Sequence, residues 1–439
     1  MYKDISREMM NFIKKSPSAF HAVEEIKNEL ISNGFTELSE GKKWDIEKEK
    51  KYFVTRNLSS IIAFKTGEDL EEYSFNIVAS HGDSPNFKIK DNYKIETKNK
   101  YIQLNTEKYG GMIYSSWFDR PLSAAGRIVI KKGNSIESRL VNIDRDLVII
   151  PNVAIHINRE INSAMKYNEQ VDLMPLYGSS CAGECDLMDM VAEFSDVQKD
   201  NIISSDLYLY NRMEPSIWGG GYEFLSSPRL DNLQCAYATL KGFMQGYNSK
   251  SVSVYCCFDN EEVGSGTKQG AASTFLPDVL KRINSSLGKA DEEYLCALAS
   301  SFMVSADNAH AVHPNHPEKS DPSNGVYMNE GVVIKHNANQ KYTTDSVSCA
   351  VFQLLCENAG VKYQHYSNRS DMPGGSTLGN IASLNVSINT VDVGLAQLAM
   401  HSSYETAGIM DTYSMVCVMK EFFNSHIEQT DIGKLNIVK

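Results

Sequence analysis

Val252-Ser253-Val254-Tyr255-Cys256-Cys257-Phe258, followed at once by Asp259-Asn260-Glu261-Glu262-Val263-Gly264-Ser265-Gly266, is the stretch that decides what kind of fold this chain adopts. The first seven residues are β-branched, aromatic or small, the make-up of a buried strand. Two adjacent carboxylates then stand just past the strand's end. A carboxylate that ligates a metal, beside a second placed to move a proton, is what a metal-activated water needs to attack an amide or ester carbonyl. A Glu-Glu pair alone is ordinary solvated helix surface. The weight therefore falls on residues elsewhere in like positions.

Working outward, apolar runs of the same kind end at residues of the same chemistry. Residues 75–80 stop at His81-Gly82-Asp83, residues 302–305 lead to Asp307, and residues 386–393 precede His401. In open α/β sheets the crevice beyond the carboxyl ends of strands gathers residues from distant parts of the chain. His81, Asp231, Glu262, Asp307 and His401 are all side chains that zinc accepts. Asp231 stands ahead of a helical pattern at 233–244, where an aspartate alone would serve as an N-cap. Asp83 suits a different task, because a metal-bound imidazole usually donates its other N–H to a carboxylate that fixes its tautomer. Two histidines and three acids exceed the three protein ligands of one catalytic zinc, so two ions are expected, with Asp231 shared between them. Glu261 is then free as the base. The same donors accept Mn²⁺ or Co²⁺.

Length and composition frame this centre. A chain of 439 residues exceeds the usual size of one core, and 42% hydrophobic residues can fill two. The net charge of -12 excludes a nucleic-acid or anionic-membrane surface as the working face. Nine cysteines, an odd number without C-x-x-C or zinc-ribbon spacing, read as reduced and mostly buried thiols, Cys181 and Cys185 among them. The charged start Met1 to Glu8 and the lack of a long apolar run predict a soluble, unexported, cytoplasmic protein. Helical spacing predicts two helices between 5 and 33, while 92–215 shows period-two stretches such as 127–130 and 146–150. The expected organisation is α/β, with a discontinuous catalytic domain from 1–91 and 216–439 and a mainly β insertion at 92–215. His21, His316, His336, His365 and His426 are expected at the surface or in loops.

Ordered blocks along nearly the whole chain resemble the aspartyl aminopeptidases, dinuclear zinc exopeptidases. They include Ser16-Pro17-Ser18-Ala19-Phe20-His21, Ser80-His81-Gly82-Asp83-Ser84-Pro85, Ile150-Pro151-Asn152-Val153-Ala154-Ile155-His156, Pro228-Arg229-Leu230-Asp231-Asn232, Asp307-Asn308-Ala309-His310 and Met400-His401-Ser402. The resemblance implies a mixed-sheet catalytic domain in which His81 and Asp307 hold one zinc, Glu262 and His401 the other, and Asp231 both. It also implies that the insertion mediates dimerisation, that His156 reaches a neighbouring subunit's active site, and that Lys335 and Tyr342 line a pocket for an acidic N-terminal side chain. Dimers would assemble into a dodecamer that admits peptides. His313 is a further candidate for substrate contact. Two other readings are a hydrolase of N-acyl amino acids, or an aminopeptidase of broad or neutral specificity, on the same centre. A non-catalytic oligomeric scaffold would have no need of the ligands and base.

Overall fold

The computed structural model describes residues 1–180, 186–431 and 433–439. Cys181 and Cys185 lie outside the described residues. A nine-stranded mixed sheet forms the centre, in the spatial order Thr36–Leu38, Lys51–Arg56, Ser60–Lys65, Ser251–Phe258, Ser74–His81, Phe302–Ala306, Asn389–Gly394, Val332–His336 and Tyr363–Ser367. The four strands from Ser251–Phe258 to Asn389–Gly394 are mutually parallel, with Phe258 in register with His81. Their carboxyl ends therefore share one edge of the layer.

Parallel strands are joined by crossovers that cover both faces of a sheet. Ser251–Phe258 is buried at every position, and its side chains divide between two cores. Tyr255 and Cys257 pack with Phe243, Phe302 and Met419, while Val254, Cys256 and Phe258 pack with Phe75 and Phe275. Helix Tyr2–Lys15 sends Met9, Phe12 and Ile13 into the first core, as their spacing predicts. Each such side chain contributes about 1.5–3 kcal/mol on leaving water, which makes the sheet a stiff frame for whatever stands at its edge.

A second sheet of six antiparallel strands is formed by Ser135–Asn142, Leu122–Lys132, Ile202–Asn211, Asn86–Thr97, Tyr101–Tyr109 and Leu176–Ser179. It has a core of its own, including Phe87, Trp117, Leu122, Ile128 and Leu209. The expected boundary at 92 cuts its strand Asn86–Thr97, because Asp91-Asn92 marks a register shift between Ile89 and Lys94 and not an end to pairing. Residues 146–150 are apolar enough for a strand but make isolated bridges, Val148 to Leu122 and Ile149 to Leu176. Of 386–393, only the part from Asn389 is strand; Val386 closes a turn behind helix Leu378–Ala382. Buried loop and buried strand share one apolar signature, so periodicity does not separate them.

A third sheet, of five strands, carries Glu405–Gly408 beside Ala396–Leu398 and Phe224–Ser227. His426, expected at the surface, is buried, its Nδ1 3.0 Å from the Ser251 hydroxyl. The described cysteines are free thiols, five of them buried, with Cys296 exposed. Among the described residues no helix is long and apolar enough to cross a membrane.

Candidate metal centre

His81 ends strand Ser74–His81, Glu261 and Glu262 follow Ser251–Phe258, and Asp307 follows Phe302–Ala306. His401 comes shortly after Asn389–Gly394, and Asp231 stands at the start of helix Leu230–Gln245. The fold brings all six together. His81 Nε2 lies 3.7 Å from Asp307 Oδ1, 3.8 Å from Asp231 Oδ1 and 3.9 Å from Glu261 Oε2. His401 Nε2 lies 3.3 Å from Asp231 Oδ2 and 3.4 Å from Glu262 Oε2. Asp231 thus turns one oxygen to His81 and the other to His401.

Hydrogen bonds hold these groups in place. Asn260 takes a left-handed conformation, φ 61°, which turns the chain off the strand into a short 3₁₀ turn over Glu261–Val263. The Glu261 and Glu262 amides, 3.2 Å away in each case, then donate to the two carboxylate oxygens of Asp83. Asp83 Oδ1 also lies 3.3 Å from His81 Nδ1, so Nε2 is left facing the cluster. Tyr109, from the six-stranded sheet, donates to Asp83 Oδ2 at 2.6 Å and accepts from Asn260 Nδ2 at 2.8 Å. On the other side Glu405 accepts from the His401 amide at 2.7 Å and the Asp231 amide at 2.9 Å. At Gly394 any side chain would run into the Asp307 carbonyl, which accounts for glycine at that strand's end.

The centre carries more buried negative charge than its own cations offset. Burial pushes Glu261 up to about 8, with Asp307, Asp83 and Asp231 adding repulsion against the pull of His81. Burial and Asp231 carry Glu262 well above the carboxylate range, and Glu405 up to about 8. Asp307 goes the other way: burial would raise it, but Lys335 and His81 hold it well below its usual range. For His81, burial would lower the imidazole, and the carboxylates of Asp307, Asp83 and Glu261 around it outweigh that. Asp231 Oδ1 and Glu262 Oε1 are buried without a hydrogen-bond partner. Imidazole and carboxylate donors, orphaned oxygens and surplus negative charge together fit divalent cations. His81 with Asp231 and Asp307, and Asp231 with Glu262 and His401, each bring three donor atoms within 4.8 Å of one another.

The remaining predicted residues divide. Lys335 is buried, its Nζ 3.7 Å from Asp307 Oδ2 and 5.4 Å from the centre of the Tyr342 ring. His156 and His313 are not brought to the cluster. His156 lies on an exposed segment, and His313 Nδ1 accepts from the Asn315 amide at 3.2 Å. Reading the sequence missed Tyr109, Asn260 and Glu405. Only Asn260 had a usable signal, a residue tolerant of positive φ directly after a strand.

An open α/β sheet with clusters of imidazole and carboxylate donors at its carboxyl edge is an arrangement that suits a metal-dependent hydrolase. The sequence pattern described as aminopeptidase I zinc metalloprotease (M18) matches residues 12–423. The chain belongs to that family and is a zinc aminopeptidase. It is 48% identical to a probable M18 family aminopeptidase 2 of Clostridium novyi, over 95% of this chain and 98% of that one. It is 35% identical to the aspartyl aminopeptidase of Dictyostelium discoideum, over 100% of this chain and 99% of that one. Among solved structures, the Ape4 and Nbr1 complex matches with a TM-score of 0.93 at 35% identity, covering 96% of this chain and 86% of that one. The S. cerevisiae mApe1 dodecamer matches with a TM-score of 0.84 at 27% identity, covering 96% and 97%.

Proposed function

We propose that this enzyme removes single N-terminal residues from peptides, favours Asp and Glu, and works with two zinc ions. The observation that carries the proposal is Asp231, whose two oxygens face different histidines and which belongs to two separate groups of three donors. His81 and Asp307 would hold one ion, Glu262 and His401 the other, and Asp231 both. Zinc, when bound, supplies Lewis acidity and brings the pKa of water from 15.7 toward about 7. Glu261 Oε2 takes the proton of the attacking water and delivers it to the departing amine nitrogen. Asp83 positions the base and the first histidine together. His156, on its exposed segment, would act in a partner subunit's site, with 92–215 as the dimerisation domain. His313 would contact substrate. The yeast relative's dodecamer supports assembly beyond the dimer, and the free thiols support a reducing compartment such as the cytoplasm.

Lys335 and Tyr342 would receive the acidic side chain, because a carboxylate buried without a partner costs several kcal/mol. A broad or neutral specificity has one observation in its favour: Lys335 already neighbours Asp307, which engages part of its charge. A panel of aminoacyl substrates with free and acetylated amino groups, assayed with and without chelator, decides between the readings. Turnover of free-amine Asp and Glu substrates alone, lost on chelation, is expected. Preference for Leu or Lys would overturn the acidic assignment, and preference for acetylated substrates would overturn the exopeptidase chemistry proposed here.

A further inference from the structure

Strand Val332–His336 sends alternate side chains to opposite faces, so Lys335 meets the metal centre while His336 turns away beneath helix Ser346–Ala359. Three donor atoms meet there. His336 Nε2 lies 3.1 Å from Nδ1 of His365, on edge strand Tyr363–Ser367, and 3.8 Å from Sγ of Cys349, in the first turn of the helix. One donor atom of each residue falls within 4.8 Å of the other two. Tetrahedral zinc with its usual bond lengths places two nitrogens roughly 3.3 Å apart and a nitrogen and a sulfur roughly 3.6 Å apart. A hydrogen bond between the two rings would account for the histidines. It leaves unexplained why the thiol meets the same Nε2.

The surroundings suit an ion. Cys349 is buried, His336 half-buried and His365 exposed. An open pocket of about 510 Å³, lined by Asn337, Gln340, Asp345 and Gln353 among others, gives access and room for water as a fourth ligand. The Gln353 amide lies 3.0 Å from His365 Nε2. Turned over, its oxygen accepts the Nε2 proton and leaves Nδ1 bare toward the other donors. Burial and Asp345 push the Cys349 thiol up, so the free thiol is a weak nucleophile; an arriving cation would displace its proton to water.

We propose that His336, Cys349 and His365 form a further cation site, on the face of strand Val332–His336 opposite Lys335, for a soft or borderline divalent ion such as Zn²⁺, Co²⁺ or Cd²⁺. The one thiolate separates it in kind from the carboxylate-rich centre. That difference supplies the test. The holoenzyme is titrated with Cd²⁺, which displaces zinc most readily where sulfur is a ligand, and the cadmium–thiolate absorption in the ultraviolet is recorded. One equivalent of strongly bound Cd²⁺ with that absorption is expected. The absorption should vanish in Cys349→Ser, and in His365→Gln, at an exposed position that leaves the fold intact, the affinity should fall at least ~10-fold. No absorption in the unaltered protein, its survival in Cys349→Ser, or full affinity in His365→Gln would each overturn the proposal.

Discussion

The edge of the nine-stranded sheet and the exposed segment that leads into strand Leu176–Ser179 of the six-stranded one are unbalanced in opposite ways. At the edge, carboxylates are packed together out of water and Glu262 is carried well above its ordinary range. In the segment after Ile150, large apolar side chains are left in water among the polar ones: Ile155 is 51% exposed, Ile157 81%, and Val171 further along 71%. Buried charge asks for counter-charge, and exposed apolar surface asks for cover. The first deficit is one that cations would fill; the second is one that another chain would fill. His156 sits between Ile155 and Ile157, at the point where the two needs would meet if subunits pair.

The comparison can be broken most directly at the edge. Removing metal should abolish turnover and lower the melting temperature, because the carboxylates are then left facing one another; a ligand present at ~1,000 times its Kd stabilises by about 4 kcal/mol. Metal analysis should find two ions per chain before chelation. Full activity with one tightly bound ion would reject the paired arrangement. Glu261→Gln should keep both ions and lose ~10²–10⁴-fold in kcat, whereas Glu262→Gln should lose an ion. If the two variants exchanged behaviour, base and ligand would be reversed.

At the exposed segment the effects are smaller and differ in kind. His156→Ala should lower kcat by ~10²–10³-fold, the cost of one donor to a developing oxyanion, without changing the assembly seen by sedimentation. Ile155→Asp with Ile157→Asp should dissociate the subunits and reduce activity alongside, leaving the metal content intact. A dissociated protein with full activity would show that each chain works alone. The smallest effect is expected where specificity resides. Lys335→Met should cost ~10-fold in kcat/KM on Asp and Glu substrates and much less on Leu; equal losses on both would reject its role.

The groups legible in the sequence were those whose chemistry is announced locally. His81, Glu262 and Asp307 each stand just beyond a buried apolar run, so strand and ligand could be read together. Asp231 was ambiguous, being equally a helix cap, until its two oxygens were seen facing different partners. Glu405 was illegible because its function is to accept the Asp231 and His401 amides, and Glu405 and Asp231 are brought together by pairing between distant strands. Tyr109 was hidden for a like reason: it reaches Asp83 from a different sheet. A residue that orients another by a long-range hydrogen bond leaves no periodic trace.

The order in which the cluster's strands occur along the chain has a bearing on biosynthesis. His81 is translated early, while His401 and Glu405 come near the end. A ribosome-bound chain stopped short of residue 401 lacks one of the five proposed ligands, the histidine that neighbours Glu262. Products of interrupted translation are therefore expected to be inert, and peptide trimming to begin only once the chain beyond Asn389–Gly394 has brought His401 to the sheet's edge.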